Sequence, residues 1–489
     1  MFRSYSRINF IQVLRVIGLL LIIESVFMAL PLATCLWYGE SDYKAFLWSI
    51  AVCGGSGLLM STCLHAPHPN MGKREGFLIT ALTWVFFSLL GMLPFLWGEV
   101  NVSVSEAFFE SMSGFTTTGA SVLSNLDLSH GLIIWRSLMQ WIGGMGIILF
   151  TLAIIPMLNH SGGMQMFNAE VTGITHDKLK PRISQTAKGL WLIYIVLTLL
   201  LFLFLWAGPM SMFDSMCHAF STMSTGGFST HDGSIGSWDS DYIDTVIIVF
   251  MFLGGINFGL IFKAVHGEVR HVWNNDAFKT YLKVIAIAYV IFVACIFLNG
   301  KATDWQSVTI DPIFQIVSTI TSTGYTVNDF ELLGPLVLAL VFILMFFGAC
   351  AGSTSGGAKL DRMNFLMRSC SNEVQKCLSP NTIYSVRVNG RVVSQEVVMK
   401  VIVFLCIYML VIVAGGVILA SIGIPLVDAF FSAFSCMSNT GLGAGVTGYG
   451  GSYDVVPAAG KWVLSFIMLI GRLEIFTVLV LFTRSFWIK

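Results

Sequence analysis

Charge is scarce in this sequence. Only 11% of its 489 residues are Asp, Glu, Lys or Arg, against about 25% in typical soluble domains, and 55% are hydrophobic. Such a chain cannot clothe a soluble core in polar surface, and its mean hydropathy of +0.79 places it in a bilayer. Metal-like cysteine spacing is also lacking. The ten cysteines form no C-x-x-C pair, and Cys35, Cys53, Cys295, Cys350 and Cys406 stand inside apolar runs as small core residues, which leaves the redox compartment open. Alternating strands are missing too, because the apolar runs are apolar throughout, and this excludes a transmembrane barrel. No leader cleavage site follows the first apolar stretch, residues 16–32, which comes after Arg3, Arg7 and Arg15. The expectation is a cytoplasmic amino terminus.

What is present is a series of apolar runs, such as residues 190–206, 246–262, 282–298 and 401–419, each long enough to cross about 30 Å of hydrocarbon as a helix. The fold expected is an all-α polytopic membrane protein. Residues 207–242 carry Asp214, Asp232, Asp239 and Asp241 with no Lys or Arg, so that face is expected outside. Basic residues gather in the other connections: Lys73 and Arg74; Lys178, Lys180, Arg182 and Lys188; Lys263, Arg270, Lys279 and Lys283; Arg362, Arg368, Lys376, Arg387 and Arg391. The positive-inside rule then gives one orientation throughout.

Self-comparison finds four related polar stretches. An acid (Glu106, Asp214, Asp311, Asp428) lies thirteen residues before a glycine (Gly119, Gly227, Gly324, Gly441), with a shared serine between (Ser113, Ser221, Ser318, Ser435). The segment from acid to serine has short helical spacing, and an acid at its start suits a helix N-terminus. Each stretch follows an outward span and precedes an inward one, so the repeats are parallel. The reading is four parallel helix, pore-loop, helix repeats around a single pseudo-fourfold pore, preceded by extra N-terminal transmembrane helices. The boundaries expected are 1–70 for those helices, then repeats at 71–160, 161–265, 266–370 and 371–489.

The candidate selectivity filter is the backbone of Thr117, Thr118 and Gly119; Thr225, Gly226 and Gly227; Ser322, Thr323 and Gly324; and Asn439, Thr440 and Gly441. Non-helical backbone at membrane depth is tolerated where it lines a water-filled cavity or is buried in protein. Carbonyl oxygens replace the hydration shell of a cation without adding full charges, and glycine permits the positive φ that aims them. The negative ends of the half-helices favour a monovalent cation on the axis.

Residues 108–121 (FFESMSGFTTTGAS), 141–148 (WIGGMGII), 226–232 (GGFSTHD), 348–359 (GACAGSTSGGAK) and 471–477 (GRLEIFT) give the chain a named likeness. It resembles the Trk/Ktr/HKT superfamily of potassium transporters, most of all its bacterial TrkH/TrkG uptake-subunit branch, over most of its length. The resemblance implies potassium uptake by selective conduction, with K+ ions as the bound species and no organic cofactor. It also implies a homodimer in the bacterial inner membrane and a cytosolic nucleotide-binding ring subunit, TrkA, as partner; no nucleic acid partner is expected. Glycine at all four aligned positions goes with potassium rather than sodium. Two positions depart from the pattern: Ser438-Asn439 replaces paired asparagines, and Tyr325 replaces a frequent phenylalanine.

Gly352, Ser353, Thr354, Ser355, Gly356, Gly357 and Lys359 interrupt the helix that closes the third repeat. The tract is not a phosphate loop, since Ala358 follows Gly357 where lysine is required. It reads as an intramembrane gate, and the alternative is a simple helix kink. Arg472, late in the apolar run 462–482, would face the pore or the gate; its alternatives are a pair with Glu474 or snorkelling to the interface. His65, His68 and Arg136 receive no role. Two other classes stay in view. A proton- or sodium-coupled potassium symporter would need an ionisable residue at the midplane. A membrane-embedded hydrolase would need a His or Asp beside Ser353 or Ser355.

Overall fold

The computed structural model describes residues 8–64, 72–146, 183–302, 304–379, 381, 385–448 and 452–488. Arg3, Arg7, His65, His68, Lys178, Lys180 and Arg182 lie outside the described residues. Among the described residues the regular structure is helical apart from one two-residue hairpin, Arg387–Val388 with Arg391–Val392. Among the described residues, six helices are long and apolar enough to span a membrane, and two bent pairs raise this to eight.

The spans fall into the repeat pattern. Two N-terminal spans, Phe10–Tyr38 and Tyr43–Cys63, come first. Then Arg74–Trp97, Lys188–Trp206, Asp276–Leu298 and Gln395–Ser421 each lead into a half-helix: Val104–Phe115, Met212–Met223, Trp305–Ile320 and Leu426–Ser438. A return helix follows each one: His130–Met145, Asp241–Gly254, Pro335–Phe347 and Ala458–Arg472. Every half-helix packs against its own return helix and against that of the repeat before it, with Ala458–Arg472 closing onto Val104–Phe115. The four repeats therefore form a closed ring. Two of the leading spans are largely exposed: only 22% of the Lys188–Trp206 window and 28% of the Asp276–Leu298 window are buried, so their apolar surface faces lipid.

Caps fix the half-helices. Ser103 accepts from the Glu106 amide, while Glu106 accepts from the Ser103 amide at 2.8 Å. Ser211 accepts from the Asp214 amide at 3.0 Å. Asp428 likewise lies in the first turn of its helix. The third half-helix differs from the expectation. It begins at Trp305 under an Asp304 cap, so Asp311 lies in mid-helix beside Pro312 rather than at the start.

Two runs expected to span continuously do not. Residues 246–262 bend by 101° between Asp241–Gly254 and Phe258–Val265, and 462–482 bend by 110° after Arg472. The other return helices also end early, at Gly146 (φ 55°) and Gly348 (φ 62°). Every return helix thus leaves the helical path at its end, not that of the third repeat alone. Of the cysteines expected in the core, Cys35, Cys53, Cys295 and Cys350 are buried, while Cys406 lies on the exposed flank of Gln395–Ser421.

The two N-terminal spans cross at Gly18 and Gly57, where a Cβ on Gly57 would meet the Gly18 carbonyl oxygen at 2.7 Å and Ile22 at 2.9 Å. This is the close approach that small residues allow between membrane helices. We predict that Gly57→Leu lowers stability in detergent by about 1–3 kcal/mol through overpacking. The matched change Gly55→Leu, at a glycine with nothing within 4 Å, should leave the unfolding midpoint unchanged. Equal midpoints for the two variants would count against this crossing.

Candidate functional site: the four-tract ring and the loop beside it

Each half-helix ends in the same backbone turn. The first tract residue has a left-handed φ (Thr117 52°, Thr225 54°, Ser322 53°, Asn439 51°), and so does the glycine two residues on (Gly119 82°, Gly227 79°, Gly324 80°, Gly441 76°). Such values are unusual for threonine and serine, and they recur in all four repeats. The tract amides turn back to the half-helix. The shared serine carbonyls accept from Thr118 (2.9 Å), Gly226 (2.8 Å), Thr323 (2.9 Å) and Thr440 (3.0 Å). These donors are thereby satisfied by the half-helix behind each tract.

The ring closes at the glycines. A Cβ on Gly119 would overlap the carbonyl oxygen of Gly226, one on Gly227 that of Thr323, one on Gly324 that of Thr440, and one on Gly441 that of Thr118. Only glycine fits at these positions, for reasons of both φ and space. All four glycines line one cavity of about 150 Å³. The sequence-derived filter residues are therefore brought together in one place.

Side chains brace the tracts unequally. Hydroxyl pairs Thr116–Thr118, Thr321–Thr323 and Ser438–Thr440, each at 2.8 Å, lock three turns. Gly226 leaves the second without a partner hydroxyl, and Gln140 takes over, donating to the Gly226 carbonyl (2.7 Å) and accepting from the Phe228 amide (3.1 Å). Asn439 donates to Thr118 Oγ1 and to the Met468 carbonyl, both at 3.0 Å, joining the fourth tract to the first. The Tyr325 hydroxyl donates to the Phe228 carbonyl at 3.3 Å, joining the third to the second. Tyr325, one of the residues that departs from the family pattern, thus links neighbouring tracts.

On the side where the half-helices end, the segment from Gly348 to Lys359 is stitched to the ring. The Gly356 amide donates to Ser322 Oγ, and the Gly357 amide donates to the Ser438 carbonyl at 2.9 Å. Thr354 Oγ1 reaches the Met223 and Gly254 carbonyls, both at 3.2 Å. Gly352 accepts from the Phe258 amide at 3.0 Å, and Ser353 Oγ pairs with Ser355 Oγ at 2.7 Å. Lys359, 7% exposed, donates to the Ser355 carbonyl. Arg472 donates to the Thr354 carbonyl at 3.0 Å and to the Gly143 and Gly144 carbonyls at 2.6 and 3.1 Å. As the last residue of Ala458–Arg472 it also sits where a helix end favours a cation. Glu474 pairs with Arg362.

Sequence reasoning missed several polar groups. Asn257 holds the loop through Nδ2 to the Ala351 carbonyl at 2.5 Å, and Asp361 accepts from the Ala351 amide at 2.7 Å. Arg136, given no role, forms a buried ion pair with Glu110 at 2.8 Å. Glu24 is fully buried within Phe10–Tyr38. Charges inside otherwise apolar stretches were the available signal.

A closed ring of half-helices, set in a multi-spanning bundle and converging on carbonyl-rich tracts, defines a membrane transport protein. Known proteins agree with this class. The sequence model of the TrkH family, described as a cation transport protein, matches residues 45–487. The Trk system potassium uptake protein TrkH of Salmonella typhimurium is 37% identical over 483 residues, covering 98% of this chain and 99% of that protein. The Trk system potassium uptake protein TrkG of Escherichia coli is 30% identical over 476 residues, covering 96% and 97%. The crystal structure of the potassium transporter TrkH from Vibrio parahaemolyticus superposes with a TM-score of 0.88 at 33% identity, covering 98% of this chain and all of that one. The chain belongs to the TrkH family of cation transport proteins, and so is a transporter rather than an enzyme.

Asn439 combines two hydrogen bonds with a left-handed φ that asparagine tolerates better than alanine. We predict that Asn439→Ala costs about 2 kcal/mol, visible as a lower unfolding midpoint in detergent. An unchanged midpoint would contradict the described junction between the fourth and first tracts.

Proposed function

We propose that this protein takes up potassium by passive, selective conduction through the single ring of four tracts. One observation carries the reading: four tracts with matched φ pack glycine against carbonyl around a closed circle. A dehydrated monovalent cation is held by such carbonyls, which carry no net charge to trap it. The relatives named as potassium uptake proteins support potassium as the ion. In this reading Thr117 to Gly119 and the three equivalent tracts are the filter. The loop from Gly352 to Gly357, with Lys359 and Arg472, is the gate. The repeats follow the boundaries drawn from the sequence, and the protein is a homodimer in the inner membrane with its amino terminus in the cytoplasm. Because the relatives are named as parts of a Trk system, we assign a regulatory partner, a cytosolic nucleotide-binding subunit resembling TrkA.

Coupled transport with protons or sodium is the competing reading, and the fully buried Glu24 is the observation that favours it. Purified protein in liposomes under a set voltage separates the two. Conduction gives reversal potentials that follow the potassium gradient alone, whereas obligate coupling makes them follow the proton or sodium gradient as well. Within the conducting reading, we predict that Gly119→Ser lowers the potassium to sodium permeability ratio, because the added side chain meets the Gly226 carbonyl. An unchanged ratio in folded protein would remove Gly119 from the filter.

The same assay tests the gate. At an effective dielectric of about 20, a cation about 6 Å from Arg472 is repelled by roughly 3 kcal/mol. The Thr354, Gly143 and Gly144 carbonyls offset part of this barrier. We predict that Arg472→Ala raises potassium flux by about tenfold and leaves the potassium to sodium preference nearly intact, while Arg472→Lys stays near the parent. Deleting residues 352–357 should also raise flux. A folded Arg472→Ala protein that conducts no faster than the parent rules out the barrier.

A further inference from the structure

The cavity beyond the four glycines contains an arginine, which is unexpected at the mouth of a cation pathway. Arg136 lines that cavity together with Gly119, Gly227, Gly324 and Gly441. Its side chain is 2% exposed and that of its partner Glu110 is 1% exposed. The guanidinium makes four connections. Nε donates to Glu110 Oε1 at 2.8 Å, Nη2 to Ser121 Oγ at 3.1 Å and Nη1 to the Ser229 carbonyl at 3.3 Å. Its Cζ also lies 4.2 Å from the centre of the Phe228 ring. Ser121 stands two residues after Gly119, and Ser229 two after Gly227. One side chain therefore spans the exits of the first and second tracts.

Glu110 completes the brace from the half-helix. Its carboxylate also accepts from Ser121 Oγ (3.1 Å) and the Val122 amide (3.0 Å). The position four residues after the conserved-spacing acid holds a different buried group in each repeat: Glu110, His218, Gln315 and Ser432. His218 Nε2 meets Ser229 Oγ at 3.2 Å, just as Glu110 meets Ser121. Gln315 and Ser432 make neutral contacts, to Thr319 Oγ1 (3.3 Å) and Thr447 Oγ1 (3.5 Å). The charge pair belongs to the first repeat, and its cost in desolvation demands a return.

We propose that Arg136 and Glu110 form a positioning pair that sets ion preference at the outer end of the filter. Arg136 clamps the exits of the first two tracts through its fork of donors, and Glu110 cancels the positive charge that this clamp brings to the mouth. The inference rests on the reading of the ring as a cation pathway. Lysine cannot replace the fork, since it offers a point charge without fixed donor geometry.

The test uses full-length protein in liposomes, with potassium and sodium as the probes. Wild-type conduction is established first; its absence would sink the proposed function rather than this inference. Glu110→Gln leaves the guanidinium uncancelled and should raise the half-saturating potassium concentration on the order of tenfold, an effect weakened by added salt. Arg136→Gln adds no positive charge and should not raise it. The double variant should return half-saturation to near the parent while the potassium to sodium permeability ratio stays low, because charge balance is restored and the clamp is not. Arg136→Lys should likewise keep half-saturation and lose selectivity, and it serves alone if Glu110→Gln fails to reach the membrane. A double variant as impaired in half-saturation as Glu110→Gln would overturn the proposal by making the pair merely structural. So would an Arg136→Lys protein with parental selectivity.

Discussion

Everything in this fold answers one constraint: backbone that leaves the helical path inside a bilayer must find its hydrogen bonds within the protein. The four tracts leave that path together. Their amides are retained by the half-helix behind them, through the carbonyls of Ser113, Ser221, Ser318 and Ser435. What remains is carbonyl oxygen, and the left-handed φ at the first and third positions keeps it away from the helix. A ring of four such turns has no room for side chains where they touch, which is why glycine recurs there. On the proposed reading, the same geometry that satisfies the backbone also makes a site for a bare cation.

The return helices obey the constraint on the other side of the ring. Each stops short, and the released carbonyls at Gly143, Gly144 and Gly254 become acceptors for Arg472 and for Thr354. Arg472 is therefore less costly than a cation buried in mid-membrane: it ends a helix and meets carbonyls from two other elements. The polar loop of the third repeat fills the space beneath the tracts, holding Ser322 and Ser438 through its own amides. Anything that moves that loop must break bonds to the ring itself, so the two are mechanically joined.

Much of this was legible in the sequence because it is enforced by residue type. The acid column marks the first turn of three half-helices, the serine column a return carbonyl and the glycine column a packing contact. Less legible was what tertiary packing decides. Threonine gives no hint of a left-handed φ at Thr117 or Thr225. Runs 246–262 and 462–482 are apolar enough to read as straight spans, although Gly254-Gly255 and Gly471 hinted at the bends. Asp311 was read as a helix start because its equivalents are; the Asp304 and Ser307 capping pair, two turns earlier, was the better signal. Arg136 receives no role from the sequence because its partner lies 26 positions away on another helix.

The central claim is that four tracts hold one cation pathway, and the most direct measurement is anomalous diffraction from crystals grown in rubidium. The account predicts anomalous peaks on the axis encircled by the four tracts ending at Gly119, Gly227, Gly324 and Gly441, weakened when sodium replaces rubidium. Rubidium bound elsewhere in the bundle, with none on that axis, would contradict it.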